Sequence, residues 1–184
     1  DHMAQLGDTL ARIAAEKAGV VMPEAIVVSG VSEPEAASVI AEVCAARRAR
    51  LVLAAQDVTV DAIERGGDTT LRLETPWRRY GPVTLALSGA HQVANAVVAV
   101  RLLEVLEAHG VGGGREAITT GLREARWPGR IERRTLPSGV PVVLDGAHNP
   151  AGATALAHWL RVSGFAPVTL VAACMRDKDV AGLL

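Results

Sequence analysis

"IVVSGVSEPEAASVIAEVCAARRARLVLAA", residues 26–55, decides the fold class. "IVVS" (26–29) and "RLVLAA" (50–55) are β-branched and aliphatic runs of strand length. Between them Ser32 is placed to cap a helix, and Ala36, Val39, Ile40 and Val43 recur at helical spacing. Two strands joined through a helix with short connections predict a parallel βαβ unit, because parallel strands need a long crossover. The class is α/β.

The same alternation continues outward. Downstream, "DTTLRLE" (68–74) and "GPVTLALSG" (81–89) read as strands separated by "TPWRRYGP". "HQVANAVVAVRLLEVLEAHG" (91–110) reads as a long helix ended by Gly110, apolar apart from a stripe at Arg101, Glu104 and Glu107. "REAITTGLREA" is a weaker helix. In "RWPGR" (126–130) Pro128 and Gly129 do not continue a helix, so this stretch predicts a linker. Beyond it come "IERRTL", a turn at "PSG", the strand "VPVVL", a helix over 151–161 and a strand "VTLVAA" (168–173). The expected division is therefore 1–127 and 128–184.

Composition narrows the function classes. Hydrophobic residues make up 49% of the 184, enough for a packed core, and the formal net charge of −1 with no long basic run excludes a nucleic-acid footprint. No apolar stretch has the length of a bilayer span and no signal-peptide pattern opens the chain, so a cytoplasmic protein without membrane contact is expected. Cys44 and Cys174 sit far apart in apolar surroundings and read as small core residues of a reducing compartment. Monomer is the default expectation.

Several stretches carry polar groups where chemistry is done. In "LDGAHNP" (144–150) a strand ends in Asp145, His148 and Asn149, with Gly146 allowing a sharp turn and a helix starting at once. Loops beyond strand ends and helix N-termini are where α/β folds hold ligands. Asp145 suits a ribose or an amine, and His148 suits a phosphate or an oxyanion. Helix capping by Asn149 and turn satisfaction by Asp145 would use the same residues. "SGAHQVANA" (88–96) puts His91, Gln92 and Asn95 at the first turn of the long helix, and the Asn95 carboxamide matches the edge of an adenine; local capping is again the alternative. Arg130, beside the rigid "WPG" turn, suits a phosphate clamp, or is simply an exposed linker arginine. After Asp8, the positions Leu10, Ile13, Ala14 and Lys17 share helical spacing, which puts Lys17 on an apolar face. A buried ammonium is costly, and a neutral amine can form a carbamate with carbon dioxide; a lysine snorkelling at a helix C-terminus is the plainer reading of the spacing alone. "CMRDKD" (174–179) either frames a site or is a solvated turn.

In order and approximate spacing, "DHMAQLGDT…EKAGV", "SGAHQVANA", "WPGRIE", "LDGAHNP" and "MRDKD" resemble the folylpolyglutamate synthase/dihydrofolate synthase family, a branch of the Mur ligase superfamily. The resemblance spans essentially the whole chain. It implies the latter part of a Mur-type P-loop ATPase domain over 1–127, followed by the start of a Rossmann-like glutamate-ligase domain over 128–184. It also implies an ATP- and Mg²⁺-dependent amide ligase that phosphorylates a dihydropteroate or folate carboxylate and joins L-glutamate to it. By resemblance His2 is a Mg²⁺ ligand and Lys17 the carbamylated lysine beside a second metal, which reverses the plainer reading of Lys17. Asn95 contacts the nucleotide, Arg130 reaches the phosphates, Asp145 takes the ribose side, and His148 stands near the phosphate. Lys17 and His148 are thus the expected catalytic residues. The family's Gly-rich loop ending in Lys-Ser or Lys-Thr is missing, and "VGGGRE" does not replace it. The family's acidic Mg²⁺ ligand and pterin loops lie upstream of Asp1. The expectation is a fragment without ligase activity of its own. Two further readings remain: a Mur-type ligase of peptidoglycan precursors, and a non-catalytic nucleotide-binding module.

Overall fold

The computed structural model describes residues 9–165, 167–175 and 180–183. Helix α1 (Leu10–Ala18) leads into strand β1 (Ile26–Ser29), helix α2 (Pro34–Ala46) and strand β2 (Arg50–Leu53). β1 and β2 pair in parallel with Ile26 opposite Arg50, so the βαβ unit forms as expected. The cap differs. Glu33, not Ser32, is the N-cap of α2, and it makes no side-chain capping bond. Pro34 at the first helical position explains this, since its fixed φ starts the helix without a donor that needs satisfying. Arg47 at the end of α2 donates to the carbonyls of Gly19 and Val21, tying the α1–β1 loop to the unit.

An antiparallel sheet follows, made of β3 (Thr59–Arg65), β4 (Asp68–Glu74) and β5 (Arg79–Thr84) in that order. β3 has no counterpart in the sequence reading. It is an edge strand with one half-buried residue, Glu64, so no buried alternation marks it. The signal that existed was "RGGD". Gly66 and Gly67 have φ of +59° and +86°, the two positive values a tight two-residue hairpin needs, with Arg65 opposite Asp68. β4 alternates as its sequence suggests, burying Thr69, Leu71, Leu73 and, just beyond it, Thr75. Gly81 kinks β5 at φ +92°, where a β-carbon would lie 2.3 Å from the Leu71 carbonyl.

Helix α3 (Ala90–Ala108) covers that sheet, with Ala96, Val97 and Val100 packed on Leu71, Leu73, Tyr80 and Val83. Helix α4 (Gly114–Glu124) adds Ile118 to the same core. The polar stripe of α3 turns inward. Glu104 is fully buried and accepts from the Thr75 hydroxyl at 2.6 Å, the Tyr80 hydroxyl at 2.9 Å and Arg101 at 2.6 Å. Burial, then the bond to Glu104, pushes the Tyr80 phenol far above its ordinary range.

After the linker, β6 (Glu132–Thr135) and β7 (Pro141–Leu144) pair antiparallel, and helix α5 (Pro150–Ser163) follows. Asp145 therefore lies beyond a strand whose described partner is antiparallel, unlike the parallel setting in which α/β folds hold ligands. The run 168–173 is not a strand: it finds no ladder partner among the described residues, and Val168, Leu170 and Val171 are exposed. A short helix, α6 (Val180–Leu183), ends the described chain.

The C-terminal lobe docks on the β3–β4 hairpin through Trp159, which is 1% exposed and donates its indole N–H to the Gly67 carbonyl at 3.0 Å. A β-carbon at Gly67 would sit 2.9 Å from that indole, so a glycine is needed there for packing as well as for the turn. Arg133 pairs with Asp68, and His158 lies 3.5 Å from Glu64 at the same contact. Cys44 is buried as expected, whereas Cys174 is exposed and is not a core residue.

Candidate functional site

The linker and the loop after β7 are fastened to each other by backbone bonds to one carboxylate. Asp145 accepts from the Ile131 N–H through Oδ2 and from the Ala147 N–H through Oδ1, both at 2.8 Å. The Gly146 N–H donates to the Gly129 carbonyl at 2.7 Å. Gly129 and Ile131 flank Arg130 with φ of +72° and +47°, and the left-handed Ile131 is held by its burial and by Asp145. Glu132 accepts from the Gly129 N–H at 2.9 Å, and this bond, then Arg134, holds its carboxyl below the ordinary range. Arg130 is thus presented, exposed, from a turn fixed on both sides.

On the other wall, α3 starts after Gly89, whose φ is +102°. A β-carbon at Gly89 would sit 3.0 Å from both the His91 ring and Ile131, so the glycine lets the helix start meet the linker. His91 is the junction. Burial pushes its pKa down, and so does the Arg130 guanidinium, while Asp145 and Glu64 push it up. Gly89 meets both the His91 ring and Ile131, and Asp145 binds the Ile131 N–H, so the α3 start, the linker and the β7–α5 loop share one neighbourhood. Gln92 is buried, its Nε2 2.9 Å from His91 Nε2, and its Oε1 accepts from Asn95 Nδ2 at 3.1 Å. A cavity of about 410 Å³ opens along α3 and α4, apolar in its walls apart from Gln92, Asn95 and Glu107.

On the loop, His148 Nδ1 lies 2.9 Å from the Gly146 carbonyl, which makes Nδ1 the protonated nitrogen and fixes the ring. Asn149 caps α5, accepting from the Gly152 N–H at 2.6 Å, so the capping role expected of it is met. Asp145 likewise satisfies turn amides, but a carboxylate has roughly four acceptor positions and two are used here. The structural role and a ligand role coexist.

Asp145 ties the loop after β7 to the linker that carries Arg130, and Ile131 of that linker meets the start of α3 at Gly89. Asn95 joins His91 there through Gln92. His148 is tied within its own loop to the Gly146 carbonyl, and none of Arg130, Asp145 and His148 lines the cavity that Asn95 borders. Lys17 does not join them. The apolar-face reading is corrected: α1 buries Ala14 and Ala18, and Lys17, about 100° round the helix from Ala18, is exposed in the last turn. Such a lysine complements the helix dipole without losing its hydration. His2 lies outside the described residues, as does most of "MRDKD". Among the described residues no three metal-competent side chains come together. Sequence reasoning singled out His91 and Gln92 only as polar neighbours of Asn95; their contacts make them part of the site. It missed Glu64 with the whole of β3.

Residues 129–183 match the family described as Mur ligase, glutamate ligase domain. The dihydrofolate synthase/folylpolyglutamate synthase of Bacillus subtilis is 32% identical over 191 residues, covering 100% of this chain and 43% of that protein. The protein of the same name from Mycobacterium tuberculosis is 34% identical over 198 residues, covering 100% and 39%. Among solved structures, M. tuberculosis folylpolyglutamate synthase complexed with ADP and AMPPCP matches with a TM-score of 0.77 at 31% identity, over 94% of this chain and 40% of that one. Folylpolyglutamate synthase of Thermotoga maritima matches with a TM-score of 0.79 at 29% identity, over 96% and 41%. The chain spans about two-fifths of the length of these relatives.

Proposed function

The chain belongs to the folylpolyglutamate synthase/dihydrofolate synthase family, and from that premise we propose that it forms the nucleotide-facing part of an ATP-dependent carboxylate–amine ligase. The reading divides it into part of an ATPase domain, 1–127, and part of a glutamate-ligase domain, 128–184. The substrates are ATP, L-glutamate and a dihydropteroate or folylpolyglutamate carboxylate. What supports this is the contact of three segments: the α3 start meets Ile131 of the linker at Gly89, and Asp145 of the loop after β7 accepts from the Ile131 N–H at 2.8 Å.

A carboxylate is a poor electrophile until one oxygen becomes a leaving group, and transfer of the γ-phosphoryl of ATP supplies that. The glutamate amine then displaces phosphate to give the amide. Little of this is covalent work for the protein, which positions groups and neutralises charge. Asn95 meets the base edge with a carbonyl and an N–H. Arg130, its backbone held between two left-handed residues, presents its guanidinium donors to phosphate oxygens. Asp145 uses its remaining lone pairs on ribose hydroxyls, and His148, its ring fixed through Nδ1, directs the opposite nitrogen toward the phosphate.

Mg²⁺ belongs to the reading through the family. The residues assigned to it by resemblance are His2, outside the described part, and Lys17, exposed on α1 without a neighbouring ligand set among the described residues. Among the described residues no group of three or more His, Cys, Asp or Glu side chains could hold the ion, and no step is routed through the metal.

Calorimetric titration of the chain with AMPPCP tests the reading. Saturable binding is expected, weakened on the order of tenfold or more in Arg130→Ala for loss of a charge-assisted bond. Unchanged affinity would remove Arg130 from the site, and no binding at millimolar ligand would sink the nucleotide reading. Phosphate release from ATP in the presence of dihydropteroate and glutamate is expected to be absent, because this sequence has no Gly-rich loop with Lys-Ser or Lys-Thr.

A further inference from the structure

Three side chains at the start of α3 are joined end to end: His91 Nε2 to Gln92 Nε2 at 2.9 Å, and Asn95 Nδ2 to Gln92 Oε1 at 3.1 Å. Gln92 is buried, so its amide exchanges little with water. Because Gln92 spends its oxygen accepting from Asn95, it faces His91 as a donor. His91 Nε2 must then carry the lone pair, and the ring proton resides on Nδ1. That Nδ1 is buried and has no hydrogen-bond partner among the described residues. Asn95 is exposed and gives one N–H to Gln92, which leaves its carbonyl oxygen and second N–H for other partners.

We propose that His91 sets the hydrogen-bonding polarity of Asn95 through Gln92, and with it which purine edge the site accepts. The inference rests on the nucleotide reading above and deepens it. An acceptor beside a donor matches a 6-aminopurine, which presents an amino donor next to a ring-nitrogen acceptor. A 6-oxopurine presents the opposite pair and is rejected. Taking a proton at Nε2 turns His91 into a donor there. Gln92 must then rotate its amide to offer Oε1, which points its NH₂ at Asn95, and Asn95 rotates in turn and presents both its N–H groups outward. One proton thus inverts the whole row. Burial holds the ring's pKa below its ordinary value against Asp145 and Glu64, with Arg130 on the side of burial, so at neutral pH the row stands in its 6-amino setting.

Side-chain ¹⁵N NMR on the 184-residue chain, as wild type and Gln92→Met, tests the relay without any ligand. The expected result is a proton on Nδ1 of His91 at neutral pH, with the Asn95 amide signals following the His91 titration in wild type and not in Gln92→Met. A ring protonated on Nε2 at neutral pH, or an Asn95 amide that stays still while His91 titrates, overturns the proposal. Affinities for ADP and IDP at neutral pH test its consequence, with a thermal melt by circular dichroism as the folding control. Wild type should prefer ADP on the order of tenfold, the size of one mispaired hydrogen bond, and His91→Phe should bring the two near parity. An unchanged preference in a folded His91→Phe or His91→Gln overturns the relay and leaves the nucleotide reading standing. Failure of wild type to bind either diphosphate overturns the nucleotide reading, with the relay still judged by NMR.

Discussion

Asp145→Asn is the substitution that probes the site's scaffold most sharply. The carboxylate accepts two backbone N–H bonds, from Ile131 and Ala147, each at 2.8 Å, and both bonds are half-buried. Hydrogen bonds to a charged acceptor contribute about 1.5–3 kcal/mol each. Asparagine keeps one oxygen and can retain one of the two bonds, now uncharged. Its NH₂ must face the other N–H, a donor against a donor. The loss is one charge-assisted bond plus weakening of the second, about 2–4 kcal/mol. Part of that cost falls on Ile131, whose left-handed backbone at φ +47° is held by the broken bond. Urea unfolding followed by circular dichroism should show the midpoint falling with the slope unchanged, because native and unfolded surface areas barely differ between the two chains. Amide exchange at Ile131 and Ala147 should accelerate before the global transition. A destabilisation under about 0.5 kcal/mol, with protected amides at both positions, would refute the clasp.

Trp159→Ala removes the anchor of the C-terminal lobe on the hairpin and should cost about 3–5 kcal/mol in the same unfolding assay, with loss of the Gly67 carbonyl's partner. A value below about 1 kcal/mol would mean that the indole is not buried there. Glu104→Ala leaves Arg101 buried without its partner, and about 3–5 kcal/mol should be lost, whereas Glu104→Gln should cost less. Equal and small effects of both would contradict the buried cluster. For Glu132 the folded carboxyl is depressed, so its contribution is present above the unfolded pKa and is lost as pH falls through the folded one. The Gly129 amide shift should therefore titrate with a midpoint below the ordinary glutamate value; a midpoint at or above it would contradict the bond.

How much could be read from the sequence follows from where burial lies. The βαβ unit, β4 and α5 were legible because their apolar periods match faces that are in fact covered. β3 was not, since an exposed edge strand carries no buried alternation and only its Gly66-Gly67 turn gave it away. The run 168–173 has strand composition, but a strand exists only with a ladder partner, which composition does not supply. Lys17 misled for a related reason: at nine residues α1 is short, and one alanine pair, Ala14 and Ala18, decides its buried side. The polar stripe of α3 does not announce its own burial: Glu104 is buried because Thr75, Tyr80 and Arg101 all reach it from far along the chain or the next turn. At the site, the residue types of Asn95, Arg130 and Asp145 could be read singly. How the linker and the loop after β7 come to the start of α3 depends on Gly89, Gly129 and the left-handed Ile131, which is backbone geometry.

The central claim is that two lobes and their linker face one nucleotide. A ¹H–¹⁵N titration of the chain with ADP tests it most directly, through the Asn95 side-chain amide, the Arg130 backbone and Nε signals, and the Ala147 amide bonded to Asp145. All three should shift along a single saturable isotherm. Shifts confined to one of these elements, or three curves with different midpoints, would contradict it.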